Sequence, residues 1–213
     1  MIDTMAALAA CVVAAAGALM RHGSWTRPRS RPMTIGLASL SLYSGIQALP
    51  NQIPTMLEWV GEATGIVGLC GLCVHVALAW SARRTAVGTL LATALLIAMS
   101  VAAYAGLNRT GMLIYGALIS SAIFATGFIT MASTFAVLPT PGFGRITLAL
   151  MGLSGFLVSL IGVYGFFSSP VGYPASDPIA FKGTAIAICL YGLAPIASRV
   201  LNRRAASTGA ARV

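Results

Sequence analysis

A chain of 213 residues that is 58% hydrophobic and 8% charged is not an ordinary soluble domain, in which charged residues run near a quarter. Its mean hydropathy of +0.89 points to lipid, and at roughly 20 apolar residues per crossing about seven spans use up the whole length. The net charge of +9 would indicate nucleic acid in a soluble protein. Here the arginines fall in short loops beside apolar runs, where the positive-inside rule accounts for them and no nucleic-acid partner is expected.

The first span is expected over about 4–20. Asp3 precedes it and Arg21, Arg27, Arg29 and Arg31 follow it. A secretory signal carries its positive charge before the apolar run, so this is read as an uncleaved first helix with its amino terminus outward. The basic loop that follows contains Pro28 and Pro32, which break helices. A short second span, 33–49, carries Thr34, Ser41, Ser44 and Ala48 on one helical stripe, a face suited to neighbouring helices.

Pro50, Asn51 and Pro54 predict an outer loop. The third span, 60–80, opens near Glu58 and Glu62, one turn apart on one face, with Trp59 and Trp80 at positions for interfacial anchors. Arg83 and Arg84 form the next inner loop. The fourth span, 86–107, is the most purely apolar and is expected to meet the most lipid. The remaining spans are read over 112–138, 146–167 and 179–198, and 199–213 as a loose basic tail.

Threaded this way, Arg21, Arg27, Arg29, Arg31, Arg83, Arg84, Arg145, Arg199, Arg203, Arg204 and Arg212 collect on the inner side. Arg109, Lys182, Asp3, Glu58, Glu62 and Asp177 collect on the outer side. The fold class is therefore all-α: an integral bundle of seven transmembrane helices in the inner (plasma) membrane, amino terminus out and carboxyl terminus in. Its first partner is the lipid bilayer. Arg21, Arg27, Arg29, Arg31, Arg83, Arg84, Arg203 and Arg204 are the expected basic contacts to anionic lipid head groups or to a protein partner, which could be a second copy.

Helices in lipid approach one another through small residues. Gly116, Ser120, Ile123, Gly127, Thr130 and Thr134 form such a stripe on the fifth span. Gly152, Gly155, Ser159 and Gly162 form one on the sixth, and Gly61, Gly65 and Gly68 one on the third. The hydroxyls of Ser120, Thr130 and Thr134 could instead line a solute path; packing is the favoured reading.

No catalytic set emerges. Gly152-Leu153-Ser154-Gly155 resembles the Gly-x-Ser-Gly around the rhomboid-protease nucleophile, but no histidine follows Ser154 to act as its base. Cys70 and Cys73 lie about 60° apart on a helix, with His75 about 140° and 160° away from them, so one ion cannot take all three. No metal or cofactor is expected. His75, an ionisable residue within a span, is a functional candidate by default, beside the simpler role of a hydrogen-bonded neutral imidazole. The absence of a mid-membrane carboxylate relay and of a phosphate-binding glycine loop argues against an enzyme.

From Arg27 to Trp80 the order is a basic Arg-Pro loop (Arg27, Pro28, Arg29, Arg31, Pro32), a moderately polar helix ending at Pro50, an outer loop with Pro and Trp, and a glycine-rich helix bearing His75. This stretch, about a quarter of the chain, resembles an uncharacterised actinobacterial family of multi-pass membrane proteins of transporter type. The resemblance implies a seven-helix membrane region. The expected function is non-enzymatic binding, as a sensor, adaptor or scaffold subunit. A small-solute transporter with a path along the second and fifth spans is the competing expectation.

Overall fold

The computed structural model describes residues 2–49, 55–80, 82–106, 109–138, 144–168 and 178–207. The expected loops at Pro50–Pro54 and 139–143, the segment holding Asp177 and the residues beyond Ser207 lie outside these. So do the side chains of Asp3, Arg109 and Arg204.

Seven helices make up the described chain: α1 (Ile2–His22), α2 (Arg31–Gln47), α3 (Thr55–Ala79), α4 (Arg83–Tyr104), α5 (Arg109–Val137), α6 (Arg145–Ser168) and α7 (Pro178–Ser207). A single 3-10 turn, Pro28–Ser30, sits between α1 and α2. No strand occurs among the described residues. All helices except α2 are long and apolar enough to cross a membrane. α2 has 17 residues and falls just short in length.

Each helix packs on the next, and α1 packs on α7, so the seven close into a ring. Contacts between α3 and α5 and between α2 and α7 reach across its interior. The strongest seams are those in which glycines let backbones touch. On the α2–α3 seam, a methyl added to Gly71 would stand 2.7 Å from Gly36 Cα, and one added to Gly65 would meet the Tyr43 ring at 3.0 Å. On α5–α6, a methyl on Gly155 would lie 2.7 Å from the Gly127 carbonyl oxygen, and one on Gly152 would lie 2.8 Å from Thr134 Oγ1. On α1–α7, one on Gly17 would lie 2.7 Å from the Gly192 carbonyl oxygen.

The small-residue stripes of the third, fifth and sixth spans therefore each face a partner helix: α3 meets α2, and α5 meets α6. Gly116 is the departure, with nothing near its Cα hydrogens. α4 is the least buried of the helices long and apolar enough to cross a membrane, with Ala86 and Ser100 its buried residues.

Several boundaries move. α3 begins at Thr55 rather than 60, which places Glu58 and Glu62 in its first two turns instead of at a loop edge. Arg83 and Arg84 open α4 rather than forming a loop. α7 continues to Ser207, past the expected limit at 198. Its extra turns are built from helix-compatible Arg, Leu, Asn and Ala, and Arg199 ties them to α1 by donating to the Met20 carbonyl at 3.1 Å. Pro195 lies within α7 without ending it, as membrane helices allow.

Candidate functional site

Polar groups gather at the two ends of the ring, separated by an apolar interior. At the amino-terminal end of α3, the two glutamates part company. Glu58 is exposed, whereas Glu62 is only 4% exposed. Although the two lie one turn apart on one face, Glu62 is covered where Glu58 is not. Tyr104, on the last turn of α4, hydrogen-bonds the Glu62 carboxyl group, and Tyr43 of α2 lies close enough to interact with it electrostatically. Glu62 Oε1 has no surface and no hydrogen-bond partner. Among the described residues no basic side chain is paired with it.

The neighbouring turn supplies a clamp between α3 and α4. Trp59 Nε1 donates to Ser100 Oγ at 3.1 Å, and Ser100 Oγ donates to the Ile97 carbonyl at 2.8 Å. Trp59 is thus tied to a helix rather than standing free as an interfacial anchor, while Trp80 is exposed. Tyr115 of α5, buried against Ile66 and Ile119, completes this end with a second unpartnered polar atom, its hydroxyl.

Beneath Glu62 lies a cavity of about 80 Å³ in the centre of the ring, lined by side chains of α2, α3, α5, α6 and α7. That is room for more than one water. Tyr43 bounds it and also neighbours Glu62; Tyr191 bounds it and also neighbours Arg21. Ser154 Oγ, in its wall, donates to the Ala187 carbonyl at 2.8 Å, so this serine is spent on holding α6 to α7.

His75 stands at the far end of α3, where its Nδ1 pairs with the Arg29 carbonyl oxygen at 3.1 Å. A carbonyl accepts, so the proton is on Nδ1. The bond anchors the turn between α1 and α2, which is further held by Ser30 Oγ donating to the carbonyls of Ser24 (2.7 Å) and Arg27 (2.8 Å). Arg27, Arg29 and Arg31 are exposed there, as are Arg83, Arg84 and Arg203 on their helices. Arg31 lies over the Trp25 ring, 5.9 Å from its centroid. Arg21 differs: it was expected in a solvated loop, yet it sits in the last turn of α1 with its Nε buried.

Ser120, Thr130 and Thr134 are all buried. Thr130 Oγ1 donates to the Thr126 carbonyl at 2.8 Å and Thr134 Oγ1 to the Thr130 carbonyl at 2.9 Å. Thr130 and Thr134 meet Gly155 and Gly152 of α6, so these hydroxyls lie in a helix seam, away from the central cavity. Ser41 likewise donates to the Cys11 carbonyl of α1 at 2.9 Å.

Cys70 and Cys73 face a different space, a lateral groove of about 360 Å³ between α3, α4 and α5. His75 is turned away toward Arg29, and among the described residues no three potential ligands gather around a common point.

The sequence reading missed Tyr43, Tyr104 and Tyr191. Their signal was present as tyrosines within the predicted spans, but which helix faces them is a tertiary property. Comparison with family models, curated proteins and solved structures finds no match to this chain.

Proposed function

We propose that this chain is a non-enzymatic, seven-pass inner-membrane protein that acts by binding, and that its outer end receives a positively charged ligand or partner segment at Glu62. The amino terminus lies outside and the carboxyl terminus inside. This orientation rests on the arginines gathered at one end of the ring. The exposed arginines of that end contact anionic lipid or a protein partner, and the likeness of residues 27–80 to a transporter-type membrane family fits the same architecture.

One observation carries the binding reading. Glu62 is buried with Oε1 unpartnered, between the tyrosines of two other helices. Buried carboxylates are ordinarily paired, and a cation framed by Tyr43 and Tyr104 would supply both the missing charge and favourable contact with aromatic faces. Binding there would draw α2, α3 and α4 together, which is how a sensor passes a signal to its far end.

The test uses protein in which Trp25 and Trp80 are replaced by Phe, leaving Trp59 as the reporter one turn from Glu62. Titration with n-butylammonium chloride gives a saturable change in Trp59 emission that sodium chloride does not reproduce. Glu62→Gln abolishes it and Glu58→Gln preserves it. The same titration curve in Glu62→Gln as in the parent protein refutes the proposal.

The central cavity favours a second reading, a small-solute transporter. Tyr43 and Tyr191 bound the cavity toward the Glu62 and Arg21 ends respectively. A solute path would then run along the ring's axis rather than along the α5 hydroxyls.

A further inference from the structure

We propose that the Arg21 end of the ring is an oxyanion site, built by α1, α3 and α7 to take a phosphate group. The proposal deepens the general attraction of that end for anionic lipid into one defined site, and it rests on that reading only for which leaflet the site faces.

Arg21 Nε has no exposed surface and no hydrogen-bond partner. A carboxylic acid or an imidazole can relieve such a position by changing its protonation, but a guanidinium remains charged. Two polar side chains of other helices, Tyr191 and His75, lie within its electrostatic reach. The Tyr191 hydroxyl is buried, at 1% residue exposure, and unpartnered. His75 donates Nδ1–H to the Arg29 carbonyl, which leaves Nε2 as a neutral acceptor.

The backbone carbonyls at this helix end accept from other groups. The Arg21 carbonyl oxygen accepts from Ser24 N at 2.8 Å and Ser24 Oγ at 2.7 Å. The Met20 carbonyl accepts from Arg199 at 3.1 Å, which brings a second guanidinium to the same helix end. Among the described residues no carboxylate stands here: Glu58 and Glu62 occupy the first turns of α3, and His75 its last. A fixed cation, a second cation beside it and a buried hydroxyl thus converge, among the described residues, with no anion to balance them. A tetrahedral oxyanion fits this set, with the Arg21 fork binding two oxygens and Tyr191 donating to a third. The phosphate can come from a phospholipid head group or from solution.

The experiment measures retention of phosphatidylglycerol by the detergent-purified protein in native mass spectrometry, with diacylglycerol as the phosphate-free control, and thermal unfolding over a titration of inorganic phosphate. The protein retains phosphatidylglycerol and not diacylglycerol. Arg21→Gln lowers retention about ten-fold or more, Arg21→Lys and Tyr191→Phe lower it by smaller factors, and Arg212→Gln, which removes the same charge from the tail, leaves it unchanged. A lipid source is indicated if inorganic phosphate neither displaces the lipid nor raises the unfolding temperature, and a solution source if it does either in an Arg21-dependent way. Both outcomes support the site. Retention unaffected by Arg21→Gln, with no Arg21-dependent response to phosphate, overturns it. So does an equal loss in Arg212→Gln, which would mean diffuse charge attraction. Should Arg21→Gln not fold, unaltered binding in both Arg21→Lys and Tyr191→Phe overturns it. The Glu62 titration is read at the opposite end of the ring, so either proposal can fail without the other.

Discussion

The indole of Trp59 donates to the hydroxyl of Ser100 at 3.1 Å, and with Tyr104 and Glu62 one turn further on it fastens a little-buried helix to the ring. α4 packs mainly on α3 and little on α5, and this polar pair lies in the α3–α4 seam. Removing the indole donor by Trp59→Phe leaves Ser100 satisfied by the Ile97 carbonyl. The cost is therefore the net worth of one bond, about 1 kcal/mol. In a double-mutant cycle with Ser100→Ala, the coupling energy measured by unfolding in mixed micelles is expected near 0.6 kcal/mol, the typical value for such bonds between membrane helices. Zero coupling would mean that the two side chains do not meet.

Gly127 and Gly116 lie on the same helix and face opposite circumstances. A methyl at Gly127 collides with the backbone of Ser159 and the Gly155 carbonyl, whereas one at Gly116 meets nothing within 4 Å. Backbone cannot swing aside as a side chain can, so Gly127→Ala must part α5 from α6, at a cost of about 1–3 kcal/mol. Gly116→Ala is neutral or slightly stabilising, because alanine is the better helix former. Thermal unfolding of the two variants side by side checks both signs at once. Equal effects would show that the α5–α6 seam is not where the structure places it.

The contrast between these glycines also shows what was legible in the sequence. Spacing of small residues every three or four positions identifies a helix face that can be approached closely, and so Gly127, Gly155 and Gly65 were readable as seam residues. Gly116 continues the same rhythm but sits where no partner helix reaches, and no sequence period records where a neighbour ends. Burial of charge was illegible for the same reason. Glu58 and Glu62 look equivalent on one helix, and only the position of α4 separates an exposed carboxylate from a covered one. Arg21 read as the first residue of a basic loop, whereas its place in the last turn of α1, beside α7, turns its Nε inward.

Thiol accessibility separates the two functional readings. In a background lacking Cys11, Cys70, Cys73 and Cys189, cysteine at Ser120 or Thr130 is expected to be unreactive toward a membrane-impermeant thiol reagent, since both positions are buried. Thr184 lines the central cavity. A Thr184→Cys variant that reacts, and that a solute protects, favours a transport path along the axis. An unreactive Thr184→Cys leaves the ring sealed and favours a binding protein that signals through its helices. Rapid reaction at Thr130→Cys would contradict the packing of α5 on α6.

The number of crossings turns on α2. At 17 residues and 1.5 Å per residue it is about 25 Å long, against a hydrocarbon core of about 30 Å. Length alone leaves it short. Its pairing with α3 argues that it crosses nevertheless: Gly36 meets Gly71 near one end, Tyr43 meets Gly65 in the middle, and Ile46 meets Gly61 near the other. A helix matched antiparallel along most of its length to one that crosses is carried through with it, and local thinning of the bilayer covers a mismatch of a few ångströms at modest cost. If α2 did not cross, every later loop would change sides, and the arginines after Trp25 would be divided between the two faces against the positive-inside rule. Reporter fusions after Trp25 and after Ala82 decide the matter. Seven crossings place both reporters on the cytoplasmic face, whereas a non-crossing α2 places them on opposite faces.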